Sequence, residues 1–175
     1  MTDLTGTRAL VLAANLFEEA ELIYPVHRLR EEGAEVVVAS AGAKPVSGKR
    51  GFGPMDVDAD IADQDAGDFD ALVIPGGFAP DALRVHEPSL ELVRAFDAAA
   101  KPIAFICHAG WLPISAGILK GRRATSVVKI RDDMVNAGVD WVDEPTVVDG
   151  HIITARTPAD LGPWMRALLA ALRAS

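Results

Sequence analysis

The chain is poor in cysteine, aromatic side chains, basic charge and long apolar runs. Its single cysteine, Cys107, excludes any disulfide within the chain. Lys and Arg number 17 against 25 Asp and Glu, a formal charge of -8. The clustered cations that hold a phosphate backbone are missing, so nucleic acid is not an expected partner. No apolar stretch approaches the roughly 18 residues that span a bilayer, and no membrane association is expected. The opening MTDLTGTR carries acid where a secretory leader carries base. The expectation is a cytoplasmic protein.

What is present is an ordinary globular composition, 50% apolar and 24% charged. At 175 residues the chain has the length of one domain, enough to bury roughly two thirds of its unfolded surface. A single domain over 1–175 is expected. Apolar runs recur at ALVLAA (9–14), AEVVVAS (34–40), ALVIPGG (71–77) and PIAFIC (102–107). They do not alternate with polar residues, so both faces should be covered, as in a parallel sheet between helices.

Helical spacing separates these runs. Leu22, Ile23, Val26 and Leu29 predict a helix over 18–32 that Pro25 should bend and Gly33 should stop. PSLELVRAFDAAA (88–100) predicts a second helix and TPADLGPWMRALLAALRA (157–174) a last one, with Thr157 as N-cap, Pro158 as the first helical residue and Asp160 as the capping-box acid. Strand and helix alternating in this order predict a three-layer α/β sandwich. Segment 44–60 reads as a hairpin excursion, and TVVDGHIITA (146–155) as a hairpin turning at Asp149-Gly150. Seven aspartates lie between positions 56 and 70, but a calcium loop starting at Asp56 needs Gly at its sixth position and Glu at its twelfth, where Ile61 and Gly67 stand. These acids read as a solvated face. His27, His86 and His151 show no metal-ligand spacing, so neither metal nor cofactor is expected.

Ligands of open α/β sheets sit at the carboxyl ends of the strands. The run 9–14 delivers Glu18 there, the run 71–77 delivers Gly76-Gly77, and the run 102–107 ends on Cys107 itself. If PIAFI is a strand and AGWLPISAGIL begins a helix, Cys107 occupies a strand-to-helix elbow. A helix N-terminus there would lower the thiol pKa and make a nucleophile. The backbone N–H groups of His108 and Gly77 could stabilise an oxyanion. Glu18 is the candidate to meet the sulfur, in protonated form, and Glu21 reads as a solvated first-turn acid. The blander alternatives stay open: an inert buried thiol, a helix-start histidine, and a tight Gly-Gly turn.

At these residues the chain resembles the ThiJ/PfpI superfamily, and within it the PfpI-type intracellular proteases. ANLFEEAELIYPVHRLREEGAEV, FDALVIPGGFAPDALR, KPIAFICHAGW, ISAGILKGRRATS, DDMVNAGVDWVD and PADLGPWMRALL carry the resemblance, in order, over nearly the whole length. It implies a flavodoxin-like sandwich related to class I glutamine amidotransferases and a dimer or hexamer. It also implies Cys107 as nucleophile, Glu18 as the acid on its sulfur, His108 as base, and Gly77 and His108 as oxyanion hole. In such proteases a glutamate from a neighbouring subunit completes the triad. Here Asp81 holds that position, Phe78 replaces a basic residue, and Ala109-Gly110 replaces Gly-Pro. The leading expectation is a cofactor-independent enzyme acting on small reactive carbonyls or their adducts, of glyoxalase or deglycase type. A peptidase with Asp81 supplied by a partner subunit is the alternative enzyme, and an oxidant-sensing or chaperone-like stress protein the alternative of another class.

Overall fold

The computed structural model describes residues 4–174. Five parallel strands form the centre: β1 (Arg8–Leu12), β2 (Glu35–Ser40), β4 (Ala71–Ile74), β5 (Ile103–Ile106) and β9 (Ile152–Ala155). They lie in the order β2-β1-β4-β5-β9, the flavodoxin-like arrangement. Short β3 (Ala59–Asp60) extends one edge in parallel, and β8 (Thr146–Asp149) closes the other, antiparallel to β9.

Successive residues of these strands point to opposite faces, and both faces are covered. Ala9 and Val11 of β1 and Ala104 and Ile106 of β5 pack with Leu22, Val26 and Leu29 of α1 (Glu19–Glu31) and with Trp164 and Leu168 of α6 (Leu161–Leu172). Leu10, Leu12, Ile103 and Phe105 face the other layer, including Leu83 of α2 (Ala79–Leu83), Val93 and Phe96 of α3 (Glu87–Ala98) and Leu112 of α4 (Trp111–Ala116). Each large side chain so buried contributes about 1.5–3 kcal/mol. The non-alternating runs are therefore central strands, as their pattern predicts.

Several local expectations are corrected. The run 9–14 stops pairing at Leu12, and Ala13 and Ala14 enter a loop. Thr157 precedes a 3₁₀ turn (Pro158–Asp160) rather than α-helix, and its side chain makes no cap. Asp160 does not act as a capping-box acid, because Arg156 takes both its oxygens, at 2.9 and 3.2 Å. The hairpin turns at Gly150-His151, since Asp149 pairs with Ile152. A small parallel pair, β6 (Arg123–Ala124) with β7 (Asp140–Trp141), flanks α5 (Arg131–Asn136), two-residue strands too short to leave a periodic pattern.

The acidic stretch has backbone partners. Asp58 accepts from the Val38 N–H, Asp60 from those of Gly42 and Ala62, Asp65 from that of Gly67 and Asp70 from that of Arg8. The 44–60 excursion makes one antiparallel bridge, Val46 with Met55. It is pinned to the loop after β1, where Leu16 N–H donates to the Ser47 carbonyl at 2.7 Å and Lys49 N–H to the Phe17 carbonyl at 2.9 Å. That attachment brings Lys49 and Arg50 to the carboxyl edge of the sheet.

Candidate active site at Cys107

Strand β5 ends on Ile106 in extended conformation, and the next residue turns sharply, Cys107 having φ 63°. An L-residue pays roughly 1–2 kcal/mol for that left-handed conformation. The turn interrupts the alternation of the strand: Ile106 and Cys107 both pack on the face of the sheet covered by α1. The elbow therefore aims the sulfur at the first turns of α1. A 3₁₀ turn over Cys107–Gly110 follows before α4, so the sulfur sits beside a 3₁₀ turn and not at the start of the expected α-helix. Gly110 packs closely there, since a Cβ would come 2.8 Å from Met134 Sδ, at the flexible end of that side chain.

The carboxyl that meets the sulfur belongs to Glu21, not to Glu18. Helix α1 begins at Glu19, so residue 18 precedes it and faces the excursion. Glu18 is buried in an ion pair with Lys49 at 2.5 Å, with Arg50 3.7 Å away. Residue 21 lies on the buried stripe with Leu22, Pro25, Val26 and Leu29, and Glu21 is 0% exposed. Its Oε2 accepts the Gly76 N–H at 2.9 Å, while Oε1 has no hydrogen-bond partner among the described residues. Burial first, and then the charge of Glu18, push this carboxyl up to about 7, and Cys107 is among the groups it interacts with. Glu21 thus holds a proton over much of the range below neutrality.

The thiol responds to the same surroundings. Burial, and next the charge of Glu21, push Cys107 up to about 12, while the N–H groups of His108 and Gly77 act in the opposite direction. Burial outweighs any helix-terminus effect, which corrects the expected lowering. The opposing carboxylate charge disappears when Glu21 is protonated, so a proton on Glu21 and a negative sulfur are compatible in one pocket, and the pair titrates as a unit.

His108 does reach its neighbour: Nδ1 lies 3.2 Å from Cys107 Sγ. Its imidazole packs between Phe78, with ring centroids 6.4 Å apart and planes at 29°, and Trp111 at 5.3 Å. Burial, then Lys129 and Lys49, lower its pKa, so it is neutral at pH 7 and able to accept a proton. Gly76 and Gly77 permit all of these approaches. A Cβ on Gly76 would fall 2.5 Å from Glu21 Oε2 and 2.8 Å from Cys107 Cβ, and one on Gly77, which has φ 81°, 2.4 Å from the Glu18 nitrogen.

Asp81 is not brought to His108 within the chain. It is exposed on α2, and among the described residues no carboxylate pairs with the imidazole. The other histidines are elsewhere: His151 is bonded to Asp97 at 2.7 Å and His86 to Ser89 at 2.9 Å. Among the described residues no group of three or more His, Cys, Asp or Glu side chains is placed to hold a metal. Nor is any helix among them long and apolar enough to cross a membrane. Glu21, Phe78, Trp111 and Lys49 are the neighbours that sequence reasoning did not place. Only Glu21 left a signal, by falling four residues before Pro25 on the apolar stripe.

Residues 7–171 match the sequence model of the DJ-1/PfpI family. The deglycase PfpI of Pyrococcus furiosus is 48% identical over 166 residues, covering 95% of this chain and 99% of that protein. General stress protein 18 of Bacillus subtilis is 41% identical over 169 residues, 95% of this chain and 98% of that one. Among solved structures, DJ-1beta of Drosophila melanogaster superposes with a TM-score of 0.89 at 29% identity, over 97% of this chain and 91% of that chain.

Proposed function

The chain belongs to the DJ-1/PfpI family, and from that premise we propose that it is a cysteine-dependent, cofactor-independent enzyme that removes small reactive carbonyls or their adducts. The observation that carries this reading is the meeting of three groups at the elbow: the Cys107 sulfur, His108 Nδ1 at 3.2 Å, and the buried carboxyl of Glu21 with one unpartnered oxygen. The similarity to a deglycase and a stress protein supports it.

With methylglyoxal, the Cys107 thiol adds across the aldehyde C=O: its S–H bond breaks, the sulfur bonds to the carbon and the proton passes to the oxygen, giving a hemithioacetal. A base removes the proton from that carbon, and a proton is returned to the neighbouring carbonyl carbon, leaving a lactoyl thioester. Water then cleaves the thioester to lactate and frees the thiol, so the sum is methylglyoxal plus water to lactate. Glu21, held near 7, is suited to both removal and return of a proton. The Gly77 and His108 N–H groups serve the developing oxyanion. A free catalytic thiol suits a reducing compartment, and we place the protein in the cytoplasm.

A cysteine peptidase is the second reading, favoured by the Cys107–His108 contact. Its third member must come from outside the chain. Exposed Asp81 suits a dimer or hexamer in which Asp81 of the partner subunit approaches His108. Lactate formation from methylglyoxal in amine-free buffer separates the two readings. Turnover by the wild type that is lost in Cys107→Ala supports the carbonyl enzyme. Peptide cleavage that disappears on dilution to monomer, without lactate, supports the peptidase.

A further inference from the structure

Phe78 keeps an aromatic ring beside the nucleophile at a place where the fold gains little from it. The ring stacks on His108, with centroids 6.4 Å apart and planes at 29°, yet the residue is 59% exposed. That same imidazole has its Nδ1 3.2 Å from the Cys107 sulfur. The phenyl ring is therefore one side chain removed from the reacting atom, with most of its surface still to cover. Apolar area of this kind is free to be buried against a ligand.

The backbone fixes where the ring stands. Phe78 follows the Gly76-Gly77 turn and precedes α2; its N–H donates to the Leu16 carbonyl at 2.8 Å, and its carbonyl accepts the Asp81 N–H at 3.1 Å. Leu16 is bonded on its other side as well, through its N–H to the Ser47 carbonyl at 2.7 Å. These bonds hold Leu16 at φ 66° while 51% of it faces solvent. A leucine in the left-handed region costs backbone strain, and outliers of that kind concentrate at ligand sites. Two exposed apolar residues thus occupy adjoining, hydrogen-bonded backbone at the carboxyl edge of the sheet.

The other ring beside the imidazole is already engaged. Trp111 lies 5.3 Å from His108, its Nε1 donates to Asp133 at 2.9 Å, and the Arg84 guanidinium stands over its ring at 5.6 Å. Arg84 is held in turn by Ser115 Oγ at 3.0 Å. Trp111 is a fixed wall, and Phe78 is the ring left open.

We propose that Phe78 is the specificity residue of the Cys107 site, receiving an apolar substituent carried next to the carbonyl carbon that meets the sulfur. Resting on the carbonyl-enzyme reading, this assigns the substrate class as α-oxoaldehydes bearing an aryl or similarly large apolar group, ahead of methylglyoxal. Phenylglyoxal is the model compound. The same addition, proton transfer and hydrolysis convert phenylglyoxal plus water to mandelate, so the chemistry is unchanged and only the substituent differs.

Cys107 is the only thiol in the chain, so alkylation reports on it alone. Iodoacetamide and its N-phenyl derivative iodoacetanilide deliver the same reacting carbon without and with a phenyl ring. Their second-order rate constants are measured on the intact wild type, Phe78→Ala and Phe78→Tyr, and each is divided by the value for glutathione. The normalised ratio of iodoacetanilide to iodoacetamide is expected to be about tenfold in the wild type, to fall toward one in Phe78→Ala and to persist in Phe78→Tyr, which keeps the ring. Any change in the His108 imidazole alters both reagents alike and cancels. A wild-type ratio near one, or a ratio unmoved by Phe78→Ala, overturns the proposal. Mandelate from phenylglyoxal and lactate from methylglyoxal are assayed in parallel. Ring preference in alkylation with neither acid formed would sink the carbonyl reading and uphold the apolar subsite. Both acids formed, with a kcat/KM ratio that Phe78→Ala leaves unchanged, would sink the assignment of Phe78 alone.

Discussion

Gly76 and Glu21 are built around each other: the Gly76 N–H donates to Glu21 Oε2 at 2.9 Å, and a Cβ on residue 76 would sit 2.5 Å from that same oxygen. The clash extends to Cys107 Cβ and the Ile106 carbonyl, both backbone-anchored and unable to yield. Gly76→Ala should therefore cost about 2 kcal/mol or more by overpacking. It should also displace the Glu21 carboxyl from the sulfur. Urea unfolding reads the first effect and Cys107 alkylation the second; a variant as stable as wild type would contradict the geometry.

Glu21 makes stability depend on pH in an unusual direction for a carboxyl. Its pKa is raised to about 7 in the fold from 4.5, so the folded state binds the proton more tightly. The stability this contributes is complete below about 4.5 and is lost as pH rises through 7. A shift of that size corresponds to about 3 kcal/mol. Glu21→Gln keeps an oxygen for the Gly76 N–H and cannot ionise. It should exceed wild type in stability at pH 8, with the difference shrinking toward pH 5, while lactate turnover falls about 10²- to 10⁴-fold. Thermal unfolding at the two pH values checks the first part; equal differences at both would refute the assignment of the raised group.

Four of the five central strands were legible because the short apolar runs 9–14, 34–40, 71–77 and 102–107 do not alternate and so mark doubly covered strands, the fifth being read as an arm of the 146–155 hairpin, and Cys107 stood out because one of those runs ends on it. The carboxyl partner was misassigned by three residues. Proximity of Glu18 to the strand end drew attention, whereas the deciding fact is which side of Glu19 the helix begins, and helix starts are poorly fixed by sequence. The thiol environment was misjudged for a related reason. A helix terminus is visible in a sequence, but the burial that opposes it depends on α1 packing over the elbow. Lys49 was invisible because it reaches the site only through the docking of the 44–60 excursion on Leu16 and Phe17, contacts with no periodic signature.

Phe78 is 59% exposed yet stacks on His108. An exposed apolar ring contributes little to stability, so Phe78→Ala should lie within about 0.5 kcal/mol of wild type. Its effect should appear in the imidazole. Burial is the largest cause of the lowered His108 pKa, and removing the ring admits water, so the pKa should rise toward 6.5. NMR titration of the His108 ring protons measures this directly. A titration unchanged by the substitution would show that Trp111 alone provides the shielding.

The positive φ of Cys107 gives a test of strain that is independent of chemistry. Alanine at 107 keeps a Cβ in the left-handed region, whereas glycine occupies φ 63° without that cost. In ordinary strands and helices glycine is the less stable of the two by roughly 0.5–1 kcal/mol. At the elbow the order should invert, with Cys107→Gly more stable than Cys107→Ala by about 1 kcal/mol. Both lack the sulfur and both should be inactive, so the difference isolates the backbone. Urea unfolding of the two variants side by side reads it. Alanine equal to or better than glycine would mean that the elbow relaxes once the thiol is gone, and that contacts of the sulfur hold the strained turn in place.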